Sequence, residues 1–156
     1  MTLDTLHQSI SLNQAVRLDA WNCYFSPPSL VVTSSIHWSS EWNKLPITRF
    51  KYHNTDATIF GKIVISPRDG TTFAVKARKF QSQGAVGLVI IDLGSCDNDV
   101  FNQACLPGAN KHMGELWGRL DSKTHWKDVH IPIMFVLQSA LDSIQEQEPG
   151  LTGDDL

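Results

Sequence analysis

One stretch, Gly61 to Leu93, constrains the fold more than any other part of the chain. It predicts a strand, a tight loop, a helix and a second strand, in that order. Ile63, Val64 and Ile65 form a β-branched run that suits a buried strand. Pro67-Arg68-Asp69-Gly70 breaks the chain into a turn, where Gly70 is free to take positive φ. Thr71 or Thr72 caps the following helix with a side-chain oxygen. Phe73, Ala77 and Phe80 recur at i, i+4 and i+7 and give that helix one apolar stripe. Lys76, Arg78 and Lys79 are expected elsewhere on it, the last two near its negative C-terminal end. Gly84 stands where a left-handed cap ends the helix. Gly87 to Ile91 reads as a second buried strand. A strand–helix–strand unit of about thirty residues argues for parallel pairing through a right-handed crossover.

The rest of the chain carries weaker signals. Residues 1 to 14 have little patterning, and the first few are expected to be loosely held. Ala15 to Phe25 alternates in part, through Val16, Leu18 and Ala20, and is a strand candidate before the break at Ser26-Pro27-Pro28-Ser29. Leu30 to Ile36 is another, followed by an aromatic-rich loop or short turn from His37 to Trp42. Ile47 to Tyr52 has the composition of an edge strand. Gly94 to Asn110 is irregular, and an unpatterned loop of that length inside a domain is often a binding or lid element. Met113 to Leu120 suits one or two helical turns. Ile131 to Leu137 is the last buried strand, and Ser139 with Asp142 opens a final helix that docks through Leu141 and Ile144.

Size and charge narrow the function classes. A chain of 156 residues is one domain, taken here as 1–147 with an acidic, disordered tail at 148–156. Its 42% hydrophobic and 19% charged content describes a globular protein able to bury a core. A net charge of −3 with no basic run gives no electrostatic case for nucleic acid or an anionic membrane. No apolar run approaches the roughly 20 residues of a transmembrane helix. The N-terminal sixteen residues lack the basic start and apolar centre of a signal peptide, so the chain is read as intracellular, or as a mature or excised piece. A monomer is expected.

Two blocks carry a family resemblance. The first is Gly61-Lys62, Arg68, Gly70, Phe73, Lys76-Ala77, Gln81, Gly84-Ala85 and Leu88 to Ile91; the second is Ile131 to Val136 followed by Ser139-Ala140-Leu141-Asp142. In this order they resemble the core of the protease-associated, or PA, domain, over roughly residues 45 to 147. The resemblance implies an α/β fold: a β-sandwich or open barrel of about six to seven strands flanked by two or three helices. It also implies a protein-interaction domain that binds peptides or protein loops for substrate or cargo recognition. The alternative is a regulatory or substrate-gating domain of a larger protease, aminopeptidase or membrane ubiquitin ligase. Secretory, vacuolar or extracellular settings are typical of the family; a cytoplasmic one is the alternative. The family's loop often has a cysteine where this chain has Thr71, so no disulfide forms from that loop.

No catalytic constellation is legible, and no enzyme activity, metal or cofactor is expected. There is no nucleophile elbow, His-Glu-x-x-His helix or phosphate-binding glycine loop. Six histidines are scattered, and His112, His125 and His130 with Cys105 or Asp128 lack the tight ligand pairs of structural zinc. A small hydrolase around His112 and Cys105 is the outside reading. Cys96 and Cys105 either bridge the loop between them or stay free thiols, and Cys23 is isolated. Five tryptophans are many for this length; the aromatic cluster Trp38, Trp42 and Phe50, with Trp21 and Tyr24 before it, reads as core and sheet packing or as a ligand platform, an exposed patch marking a partner surface. Arg68 is the strongest site candidate. In a tight loop before a helix start, its guanidinium can fork onto a peptide carboxylate or carbonyl, beside free helix amides. The matching loop contacts cargo peptide in sorting receptors of the family, which implies a binding role for Arg68, Asp69, Gly70 and Thr71. The competing reading is a surface ion pair such as Arg68–Asp69.

Overall fold

The computed structural model describes residues 1–12, 16–22, 30–44, 50–52, 58–68, 73–93, 129–147 and 151–153. Its centre is a five-stranded sheet in the order β4 (Trp21–Asn22), β10 (Ile133–Val136), β9 (Gly87–Ile91), β8 (Ile63–Pro67), β6 (Ile36–Trp38). The last four run parallel, and β4 closes one edge antiparallel to β10. Every residue of β8, β9 and β10 is buried, as a parallel sheet covered on both faces requires.

Side chains alternate between the two faces. Val64, Leu88, Ile90, Ile133 and Phe135 meet helix α1 (Phe73–Ser82) through Phe73, Ala74, Ala77 and Phe80. Ile63, Ile65, Val89, Ile91, Met134 and Val136 face the opposite layer. That layer is an antiparallel sheet in the order β3 (Arg17–Asp19), β2 (Ser9–Ser11), β1 (Thr2–Asp4), β5 (Val31–Thr33). Leu3 and Ile10 are its fully buried residues, and helix α2 (Ser139–Gln147) adds Ala140, Leu141 and Ile144 to the same core. The result is the expected α/β sandwich. Its strands are shorter and more numerous than the sequence suggests: among the described residues there are eleven, counting β7 (Phe50–Tyr52) and β11 (Leu151–Gly153).

The strand–helix–strand unit forms as predicted, with β8 and β9 parallel in the register Ile63↔Gly87. Helix α1 ends in a Schellman cap. Gly84 has φ +89°, its N–H reaches the Gln81 carbonyl at 3.0 Å, and the Ala85 N–H reaches the Phe80 carbonyl at 3.1 Å. The capping threonines at 71 and 72 lie outside the described residues.

Three expectations need correction. The N-terminal residues are not loosely held, because β1 is an inner strand of the antiparallel sheet and Leu3 is fully buried. Residues 151–153, placed by their composition in a disordered tail, pair with β7 in the register Thr152↔Lys51; the backbone ladder supplies what side-chain pattern did not. His37 and Trp38 belong to β6 rather than to a loop, which begins with the 3-10 helix η1 (Ser40–Lys44). The loop 94–110 and the helical turns at 113–120 lie outside the described residues.

Candidate functional site

Because β6, β8, β9 and β10 are parallel, their C-terminal ends share one edge, where ligand sites of α/β sheets gather. The ladder continues slightly beyond the strands there. Ser39 donates its N–H to Ile65 at 3.0 Å, Arg68 to Ile91 at 2.9 Å, and Asp92 to Val136 at 2.9 Å. Two buried ionic clusters stand on this edge.

The first ties η1 to β8 and α1. The Lys76 ammonium donates to the Glu41 carboxylate and, at 2.9 Å, to the Ser66 hydroxyl. Ser66 donates in turn to Glu41 at 3.2 Å, and Lys79 reaches the other Glu41 oxygen at 3.4 Å. Lys76 is only 1% exposed and Ser66 fully buried. Neighbouring Trp42 donates its indole N–H to the Ile65 carbonyl at 3.0 Å and meets Trp38 edge-on at 5.6 Å. Ser66 and Lys76 thus meet the same carboxylate, and the cluster links η1, β8 and α1.

The second cluster is Arg68 with Asp92, 3.4 Å apart, at the ends of β8 and β9. The guanidinium lies 5.9 Å from the Phe73 ring centre and 5.7 Å from that of Phe135, close enough for cation–π attraction. Phe73 and Phe135 are themselves stacked at 5.8 Å. Burial pulls the Arg68 pKa below its usual value, and the Asp92 charge and hydrogen bond oppose that pull.

Arg68 therefore sits where the sequence places it, at the strand end, but its side chain turns inward and is 5% exposed. Asp69, Gly70 and Thr71, together with Cys23, Cys96, Cys105, His112 and His125, lie outside the described residues. His130 is exposed, and its backbone N–H bonds to Gln81 at 2.6 Å. Trp38 and Trp42 are core residues, each 2% exposed, and Trp21 is half-buried at 6.5 Å from Phe135. The tryptophans at 21, 38 and 42 thus serve packing. No set of three or more His, Cys, Asp or Glu groups is placed to hold a metal among the described residues. No described helix is long and apolar enough to cross a membrane.

Sequence reading missed Glu41, Ser66, Lys76 and Asp92. One signal was present for Lys76: it falls three residues after Phe73 and four before Phe80, on the apolar stripe itself. A lysine there needs a buried acid to meet it. A cleft of about 350 Å³ opens beside the same edge, lined by Leu18, Asp19, Trp21, Leu137, Ser139 and Ser143.

Comparison with curated proteins and with solved structures returns no match. A family model does match, that of the PA domain, over residues 29–144. These residues include β8, α1, β9 and β10 and both ionic clusters. The chain belongs to the PA domain family.

Proposed function

We propose that this domain is a non-catalytic protein-interaction module that recognises an extended peptide or a protein loop at the C-terminal edge of its parallel sheet. The observation that carries this reading is the pair of buried ionic clusters at the base of the segments that leave that edge. Burying charges is costly, and a buried pair serves better to fix geometry than to add stability. Here the clusters hold η1, the ends of β8 and β9, and the start of α1 in one frame. Arg68 is a positioning residue in this scheme. It holds the end of β8, and Asp69, Gly70 and Thr71, which follow it in sequence, are the proposed contacts with the partner. Affinity for a short peptide would lie in the micromolar to millimolar range, about −8 to −4 kcal/mol.

The test is an NMR titration of the isotope-labelled chain with a pool of short peptides, alongside Asp69→Ala and Thr71→Ala, which leave the ionic frame intact. Shifts clustered at residues 66–73 that weaken in these variants support the reading. No shifts at millimolar peptide would overturn it. Weight would then move to a regulatory domain acting on a folded partner, such as a protease within the same polypeptide.

A further inference from the structure

The antiparallel sheet has two edges, and they are built differently. Edge strand β3 carries Arg17 and Asp19, both exposed. Charges at an edge discourage another strand from pairing there. Edge strand β5 is Val31-Val32-Thr33, with Val31 60% exposed.

The ladder fixes which backbone groups of β5 have no partner among the described residues. Thr5 donates to Leu30 and Ser34 donates to Met1, each at 3.0 Å, so the even-numbered residues bond to β1. Antiparallel strands alternate between bonded and non-bonded pairs. Val31 and Thr33, opposite Asp4 and Thr2, are therefore the non-bonded pairs. Their N–H and C=O groups point away from the sheet and meet no described residue. Val32 packs inward, while Val31 and Thr33 stand on the outer face, where the Thr33 hydroxyl meets that of Thr2 at 2.8 Å.

We infer that β5 is a strand-addition site for an extended, β-branched segment of another protein. The exposed edge offers two donors and two acceptors at strand spacing, and Val31 selects an apolar side chain opposite it. Three residues span only about 10 Å. Two copies joined by that edge alone would bury far less than the roughly 1,000 Å² of a stable interface. A flexible segment suits it better than a second copy of this chain. The site is separate from the Arg68 edge, since β5 and β8 belong to different sheets.

The test uses the full chain and the peptide acetyl-Thr-Val-Thr-Val-Thr-Lys-amide. Its expected result is chemical shifts at Val31 and Thr33 and at least about tenfold slower amide exchange there at saturation. A peptide N-methylated on alternate amides is expected to bind about tenfold more weakly, because main-chain donors carry the contact. Val31→Lys is expected to weaken binding as much without moving the melting temperature. Equal binding of the N-methylated peptide would overturn the inference, as would unchanged exchange at millimolar peptide. So would a peptide-free dimer abolished by Val31→Lys, since a second copy would then be the occupant. Shifts confined to residues 66–73 would overturn this site and leave the Arg68 edge standing.

Discussion

At the residue scale, two positions carry unusual burdens. Gly84 must hold a left-handed conformation, and a Cβ built there would also run into the Phe60 ring. Phe60 is 77% exposed, so the ring can swing aside and backbone strain dominates the cost. Gly84→Val should lose about 1–3 kcal/mol, and Gly84→Asn distinctly less. Thermal melts by circular dichroism measure this, and equal melting temperatures for Val and Gly would refute the cap. Lys76 carries the other burden. Lys76→Met leaves Glu41 buried with only Lys79, itself half-exposed, to balance it. The loss should approach about 3–5 kcal/mol. The double variant Glu41→Leu/Lys76→Met should recover most of that in urea denaturation. If the double were as unstable as the single, the tie would be stabilising in itself rather than a fixer of geometry.

At the scale of elements, legibility followed the length of local pattern. The unit β8–α1–β9 was readable because its β-branched runs, helical stripe and cap glycine lie within about thirty residues. Strand β10 was readable for the same reason. Strands β1 and β2 were not. Each has three residues with Leu3 or Ile10 as its fully buried one, too few to show a period of two. The ionic clusters were equally hidden, since Lys76 meets an acid 35 positions away and Arg68 one 24 away. Where the two sheets meet, Gly87 is a contact that no local pattern announces. A Cβ there would lie 2.7 Å from Leu3 Cδ1 and 3.4 Å from Ile63 Cγ1. Gly87→Ala should therefore cost about 1–3 kcal/mol by overpacking. Leu3→Ala alone should cost about 2–5 kcal/mol by opening a cavity. Combined, the two should cost clearly less than their sum, because each relieves the other. An additive double-mutant cycle would mean the sheets do not meet at this point.

At the scale of the whole molecule, the family match and the folding unit have different limits. The match begins at residue 29, yet β1 to β4 all precede it. Without them, β5 loses its pairing partner β1, and β10 loses β4 from its outer edge. The core shared by the sheets loses Leu3, Ile10 and Leu12, leaving Ile63, Val89 and Met134 uncovered on that face. Strands from both ends of the chain thus close one sandwich, and contacts this distant in sequence form late or not at all when one partner is missing. A chain starting at residue 29 should show no cooperative melting transition and should bind a hydrophobic dye. Supplying residues 1–22 as a separate peptide should restore part of the transition, because β1 to β4 would then regain their partners. A cooperative melt of the shortened chain at the full-length temperature would place the stable core wholly within 29–144. The antiparallel layer would then be an accessory, and the β5 edge with it.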